Sequence, residues 1–373
     1  MINPKEEQNV PPIKTNKNND IKKIIICFFL SRLLLILFII IKQDLSVFEL
    51  YDSIHYINIA QFGYIESQLY AFFPLYPLLI RTVAILIPSY HISGAIISNL
   101  CSLLSLLILN KLTKDKTNND LLMCFVFSPI LAFTSIVYTE SLFMLLTLLG
   151  YYLYKKDRYF LSGIIIGLSI LTRNSGIILW GSIGLDMLYR LFIKKDKTIK
   201  FKNIVIFGLI SLLIGMIYPI YLYIQTGDFL KFATVQTEYW YRELGTPIEC
   251  LVKDVQVLIR GGKNFILNII IFIENWTSLI FAIILSIKIF KKDKLSSIYI
   301  IVSLICFTTT HRNINYWLSL SSVSLFRYVL GLFPIYIYLF DNKKESINKL
   351  IYLIFILLSI FNVILIYTGF FLG

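Results

Sequence analysis

Apolar runs close to the length of a bilayer crossing alternate with short lysine-rich connections along almost the whole chain. Isolated core helices of a water-soluble domain do not produce that pattern from end to end. Of the 373 residues, 57% are hydrophobic and 15% charged, against about 45–50% and about 25% in soluble domains. The fold class that follows is all-α, a polytopic bundle of transmembrane helices. The formal net charge of +13 would point to nucleic acid in a soluble protein. Here the lysines cluster between apolar runs, the signature of cytoplasmic loops under the positive-inside rule. Membrane lipids, not nucleic acid, are therefore the expected partners. Cys27, Cys101, Cys124 and Cys306 lie in apolar stretches and only Cys250 in a polar loop. Nothing in their spacing outlines a disulfide framework or a Cys/His metal site.

The lysine-rich connections also set an orientation. Met1–Lys23, Lys111–Asp120, Lys155–Arg158, Arg190–Lys202, Lys288–Lys294 and Asp341–Lys349 are assigned to the cytoplasmic side. Lys42–His91, Val137–Glu140, Thr172–Ser175, Gln225–Lys263, Thr308–Arg327 and the C-terminus fall outside. This gives about eleven spans. Residues 1–23 are expected to be a disordered cytoplasmic tail, and residues 24–373 a single membrane domain. The apolar run Ile24–Ile41 has no small-residue cleavage site after it and reads as a signal anchor. Phe72–Ile87 is apolar enough for a short span, but counting it would invert every later element. It is expected to be re-entrant or interfacial. Richness in Ile, Lys and Asn suggests an AT-rich genome, and with it a bacterial plasma membrane; in a eukaryote the endoplasmic reticulum membrane would take its place.

Ionisable side chains near the membrane are costly and each requires a reason. Tyr51, Asp52, His55 and Tyr56 lie in the first outer loop. Glu66 and Arg81 flank the aromatic-proline stretch Phe73-Pro74-Leu75-Tyr76-Pro77. Glu140 stands in Tyr138-Thr139-Glu140-Ser141, between two apolar runs. Arg173 and Asn174 end a short span of about 13 residues, Tyr159–Leu171, roughly 20 Å of helix. Arg327-Tyr328 opens the run that reaches Pro334. All five places fall on the outer side, and this one-sidedness suggests one shared cavity. Plain packing readings compete: Glu140 and Arg173 as an ion pair between helix ends, Arg327 snorkelling to headgroups. His91, His311 and Asp186 are expected to be structural. The many Tyr and Phe residues fit an interfacial belt and core better than a sugar platform.

These residues carry a resemblance. Tyr51-Asp52-Ser53-Ile54-His55-Tyr56-Ile57-Asn58-Ile59-Ala60, then Gly63-Tyr64, then Ala71-Phe72-Phe73-Pro74-Leu75-Tyr76-Pro77 resembles the N-terminal signature of PIG-V-like mannosyltransferases. Tyr138-Thr139-Glu140-Ser141-Leu142-Phe143 is similar to a second motif of that family, Thr172-Arg173-Asn174-Ser175-Gly176 to a third, and Arg327-Tyr328 with Phe333-Pro334 to a fourth. Two departures stand out: Tyr51 occupies a place that is usually Trp, and Asn174-Ser175 reverses the common order. The resemblance implies a GT-C membrane fold and a lipid-phosphate sugar, mannose in this family, as donor. It also implies an acidic residue in the first outer loop, a position occupied here by Asp52.

The chemistry fits the residues independently. A sugar on polyprenyl phosphate carries its own activation, so no cofactor and no metal is expected. Transfer needs a base for the acceptor hydroxyl and positive charge for the departing phosphate. Asp52 is the expected general base for an inverting displacement. Arg173, Arg327 and Arg81 are candidates to hold the phosphate. His55 would orient Asp52 or bind phosphate, and Glu140 would bind sugar hydroxyls or hold an arginine. Tyr51, Tyr56, Glu66, Asn174 and Tyr328 complete the expected substrate site, with a glycan or glycolipid as acceptor. A transporter or flippase of lipid-linked sugars is the rival from another class, and a structural membrane protein a third reading.

Overall fold

The computed structural model describes residues 17–42, 48–113, 119–262, 264–314, 319–339 and 345–368. Helices dominate, and among the described residues the sheet structure is one pair of three-residue strands. Among the described residues, five helices are long and apolar enough to cross a membrane: Tyr90–Leu112, Gly176–Ile193, Phe201–Thr226, Phe265–Ile289 and Asn348–Tyr367. The count of about eleven spans is thus larger than the number of helices that qualify by length and composition. The remaining apolar runs fold as shorter or broken helices. Lys17–Ser31 and Leu33–Lys42 are interrupted at Arg32, whose buried guanidinium donates to Asn99 Oδ1 at 3.1 Å and Ser102 Oγ at 3.0 Å. The first of these helices begins inside the stretch expected to be a disordered tail, because its polar first turn extends the apolar helix. Residues 1–16 of that tail lie outside the described residues.

Leu75–Ala84 is a 10-residue helix, about 15 Å long at 1.5 Å per residue, and so too short to span. Its Pro77 sits in the first turn, where a missing N–H costs little. Tyr76 locks it to the Tyr90–Leu112 helix, sharing a hydrogen bond with Ser98 Oγ at 2.6 Å and donating to Gly94 O at 3.0 Å. Residues 127–139 are irregular and largely buried, a conformation tolerated at depth only where the protein supplies the missing hydrogen bonds. Asn99 Nδ2 donates to Ser135 O at 2.8 Å, and Ser98 Oγ to Tyr138 O at 3.1 Å. Both donors come from the same long helix.

Small residues bring two helices together. Gly163 and Gly167, one turn apart on Tyr159–Thr172, face Phe201–Gly215 so closely that a Cβ would lie 3.1 Å from Phe207 O at the first and 2.7 Å from Ile214 Cβ at the second. Ser211 Oγ donates across this seam to Gly163 O at 3.0 Å. Such small-xxx-small contacts supply the van der Waals packing that holds helices together in lipid. We expect Gly167→Val to force these helices apart and cost about 1–3 kcal/mol, measured as a lower thermal midpoint of the purified protein. An unchanged midpoint would show that the seam opens freely.

Candidate active site

Ends of several elements meet around one cavity of about 850 Å³. Asp52 stands at the start of the Ser53–Phe62 helix, and Glu140 is the first residue of Glu140–Lys155. Arg173 caps Tyr159–Thr172 with extended backbone, φ −155° and ψ 139°. Arg327 lies in the six-residue helix Leu325–Leu330. Because the second and third of these helices are antiparallel neighbours, Glu140 and Arg173 emerge side by side. Gly176 makes the turn after Arg173 possible: a Cβ there would come within 2.7 Å of Ile170 N.

The charges form a chain. Arg173 Nη1 donates to Glu140 Oε1 at 2.7 Å. That same oxygen lies 3.3 Å from Arg327 Nε. Arg327 Nη2 approaches Asp52 Oδ2 at 3.8 Å. Glu140 and Arg327 are deeply buried, with side chains 5% and 3% exposed, while Asp52 is 27% exposed. Aromatic rings shield the buried end: the Arg327 guanidinium lies 4.7 Å from the ring centre of Phe133 and 5.3 Å from that of Tyr138. Such cation–π contacts partly replace lost hydration.

Asp52 is aimed by its backbone. Tyr51 adopts φ +53°, a left-handed conformation that costs a non-glycine residue roughly 1–2 kcal/mol. The Asp52 N–H donates to Tyr138 Oη at 3.1 Å. Tyr138 is in turn fixed through its carbonyl by Ser98. Tyr56 shares a hydrogen bond with Thr139 Oγ1 at 3.4 Å. His55 stacks on Phe72 with ring centres 4.7 Å apart and meets the Trp240 ring edge-on at 5.3 Å. Burial lowers the His55 pKa below its ordinary 6.5, against the pull of Asp52 and Glu66. The imidazole is therefore neutral at pH 7.

Tyr51, Tyr56, His55, Asn174 and Tyr328 line the same cavity as the charge chain. Tyr328 lies between arginines. Its hydroxyl accepts from Arg327 Nη2 at 3.3 Å and Arg242 Nη2 at 3.4 Å, and its ring faces the Arg173 guanidinium at 5.0 Å.

Two expected site residues lie elsewhere. Arg81 donates to Ala60 O at 2.7 Å, with its second nitrogen 3.3 Å from Ile59 O and 3.4 Å from Gln61 O. It caps the carbonyl end of the Ser53–Phe62 helix, a common use of arginine near a helix C-terminus. Glu66 is exposed ahead of a short 3₁₀ turn and accepts from Gln68 Nε2. The other histidines and Asp186 have structural partners: His91 with Glu49, His311 with Glu243 and Lys253, Asp186 with Tyr154.

The structure adds residues that sequence reasoning missed. Arg242 belongs to strand β1 (Arg242–Leu244) and Arg312 to β2 (Thr310–Arg312). The strands are antiparallel, with Arg242 directly opposite Arg312. Both arginines line the cavity, as does Trp240. Asn275, a buried amide within an apolar helix, donates to Ser322 O at 2.7 Å and accepts the Phe326 N–H at 2.9 Å, so it positions Arg327. Asp254 accepts the N–H groups of Ser321 at 2.6 Å and Ser322 at 3.0 Å, and Trp276 Nε1 at 2.9 Å.

Fold and cavity together define a polytopic helical membrane protein whose connecting segments enclose a polar, ion-paired pocket large enough for a sugar. The chain belongs to the mannosyltransferase (PIG-V) family, whose sequence profile matches residues 39–371. It is also similar to GPI mannosyltransferase 2 of Yarrowia lipolytica (strain CLIB 122 / E 150), with 39% identity over 90 residues. That match covers 23% of this chain and 25% of the yeast protein's length.

Proposed function

We propose that the protein transfers mannose from a polyprenyl-phosphate carrier to a lipid-linked or glycan acceptor, with inversion, in a cavity open to the non-cytoplasmic side. One observation carries the reading. Three carboxylates line the cavity, Asp52, Glu140 and Glu243. Glu140 is buried against two arginines, and Glu243 is held by Lys253 and Asn313. Asp52 is partly exposed, with Arg327 Nη2 3.8 Å away, and this leaves it placed to accept a proton.

In the proposed reaction, Asp52 takes the proton of an acceptor hydroxyl. The oxygen attacks the anomeric carbon as the bond from that carbon to the phosphate oxygen breaks. The leaving group is polyprenyl phosphate, stabilised by the arginine-rich wall. Water-poor surroundings strengthen that stabilisation. His55, neutral between Phe72 and Trp240, contributes an aromatic wall for the sugar face, with Tyr51 and Tyr56 beside it. Asn174 offers an amide to sugar hydroxyls.

The donor class is tested in membranes carrying the chain, supplied either with polyprenyl-phosphate mannose or with a nucleotide-linked mannose while endogenous lipid-linked donor synthesis is blocked. Label is expected in product only from the lipid donor. Direct transfer from the nucleotide sugar would overturn the reading.

A further inference from the structure

One wall of the cavity differs in chemistry from the charge chain. The helix Lys231–Trp240 lines it with Ala233, Gln236, Thr237 and Trp240, whose spacing of three, four and seven residues puts them on one face. That face holds an amide, a hydroxyl and an indole, and no ionisable group. The helix is firmly held. Val235 is fully buried. At the start, Gly227 turns the chain with φ +75°, and Asp228 accepts the Leu230 N–H at 2.8 Å and the Thr234 hydroxyl at 3.1 Å. At the end, Tyr241 takes φ +50° and leads into strand β1.

Trp240 Nε1 is buried and has no hydrogen-bond partner among the described residues, although a buried indole N–H usually finds one. Leaving such a donor unmatched costs its lost hydration, a cost that a ligand oxygen in the cavity removes. The ring itself is fixed, edge-on to His55 at 5.3 Å and to Phe72 at 5.7 Å between centres. Gln236 and Thr237, one turn earlier, add an amide and a hydroxyl that both donate and accept. A hexose offers the matching set: adjacent hydroxyls for the amide and the indole N–H, and an apolar C–H face for the ring. The position of this strip also bears on the chemistry. His55 stands one turn after Asp52, its N–H donating to Asp52 O at 3.1 Å. Trp240 therefore adjoins the residue that is to take the acceptor's proton.

We propose that Gln236, Thr237 and Trp240 seat a neutral hexose of the acceptor, with the Trp240 N–H donating to one of its hydroxyl oxygens and another hydroxyl turned toward Asp52. The inference rests on the mannosyl-transfer reading above and names the part of the cavity that its acceptor takes. A departing phosphate needs cations, and this strip has none. Charge thus sorts the two substrates: the phosphate goes to the arginines and the uncharged sugar to the helix face.

The full chain in lipid nanodiscs provides the test, titrated with butyl α-mannoside, butyl α-glucoside and butyl β-galactoside, with butanol as the sugarless control. At least one hexoside is expected to bind at least about tenfold more tightly than butanol. Trp240→Phe keeps a ring and loses the N–H, and should weaken that hexoside about three- to tenfold. Gln236→Ala, a change that favours helix, should weaken it by about tenfold. Both together should abolish the preference. Affinity for polyprenyl-phosphate mannose should stay within about twofold in each variant, which a general loosening of the cavity would not allow. Should Trp240→Phe fail to fold, Gln236→Ala and Thr237→Val decide. To tell the acceptor's sugar from the donor's, Asp52→Asn, which slows turnover, is saturated with the lipid donor and titrated again. The hexoside should still bind. Its displacement by the donor would put the strip in the donor's sugar site and overturn the acceptor assignment. Unchanged hexoside affinity in the variants, or no hexoside preference in wild type, overturns the seat and leaves the transfer reading intact. A hexoside that binds at the strip while wild type moves no label from polyprenyl-phosphate mannose overturns the transfer reading and leaves the seat standing.

Discussion

Asp52→Asn is expected to lower the transfer rate by about 10²–10⁴-fold, the usual worth of a positioned general base, while the protein remains folded and inserted. The substitution is nearly isosteric. The Asp52 carboxylate contributes little to stability, since its partner Arg327 is 3.8 Å away and the carboxylate is partly exposed. The backbone bond from Asp52 N–H to Tyr138 Oη does not depend on the side chain. Asparagine therefore removes proton acceptance and one charge while preserving shape. The measurement is turnover of polyprenyl-phosphate mannose, beside a thermal midpoint and donor KM. We expect kcat to fall and KM to stay within about threefold, because a group that acts on the acceptor proton contributes in the transition state. Asp52→Glu tests position: moving the carboxylate by one methylene should still cost about 10²-fold. Turnover of Asp52→Asn close to wild type would remove this residue from the chemistry.

Why was Asp52 visible in the sequence when other cavity residues were not? Asp52, Glu140, Arg173 and Arg327 stand out because each interrupts an apolar context in which a charge needs a reason. Arg242 and Arg312 lie in polar connections where arginine is ordinary. Only the strand pairing, which sets Arg242 opposite Arg312 from distant parts of the sequence, brings them together. Arg81 misled for a related reason. Its sequence neighbourhood is as conspicuous as that of Asp52, yet the three carbonyls at the end of the Ser53–Phe62 helix take its guanidinium. Fewer long helices than expected spans are found because hydropathy averages over single polar residues that break an apolar run. Arg32 and Asn99 disappear into apolar runs, although one marks a helix break and the other supports irregular backbone at Ser135. The small residues Gly163 and Gly167 are equally present in the sequence, but which helix they meet is set only by the fold.

Glu140 is where stability and chemistry meet, and its variants separate the two. Its Oε1 serves both Arg173 and Arg327 in a nearly dry environment. Removing one member of a buried ion pair typically costs about 3–5 kcal/mol, because the other is left without a counterion. Glu140→Ala should therefore lower the thermal midpoint strongly, unless Arg173 is also replaced. In a double-mutant cycle of Glu140→Ala with Arg173→Met, we expect a coupling of about 0.5–3 kcal/mol. Additive losses would mean that the two side chains do not interact. Glu140→Gln keeps the size and an acceptor oxygen but surrenders the charge. Arg327 is then balanced only by Asp52, which draws the guanidinium onto the proposed base and makes its carboxylate a weaker proton acceptor. For this variant we expect kcat to drop by about 10–100-fold with little change in donor KM, which would reflect a loss confined to the transition state. If the ion pair merely joins two helix ends, the folded fraction of Glu140→Gln will turn over at the wild-type rate, whatever its thermal midpoint.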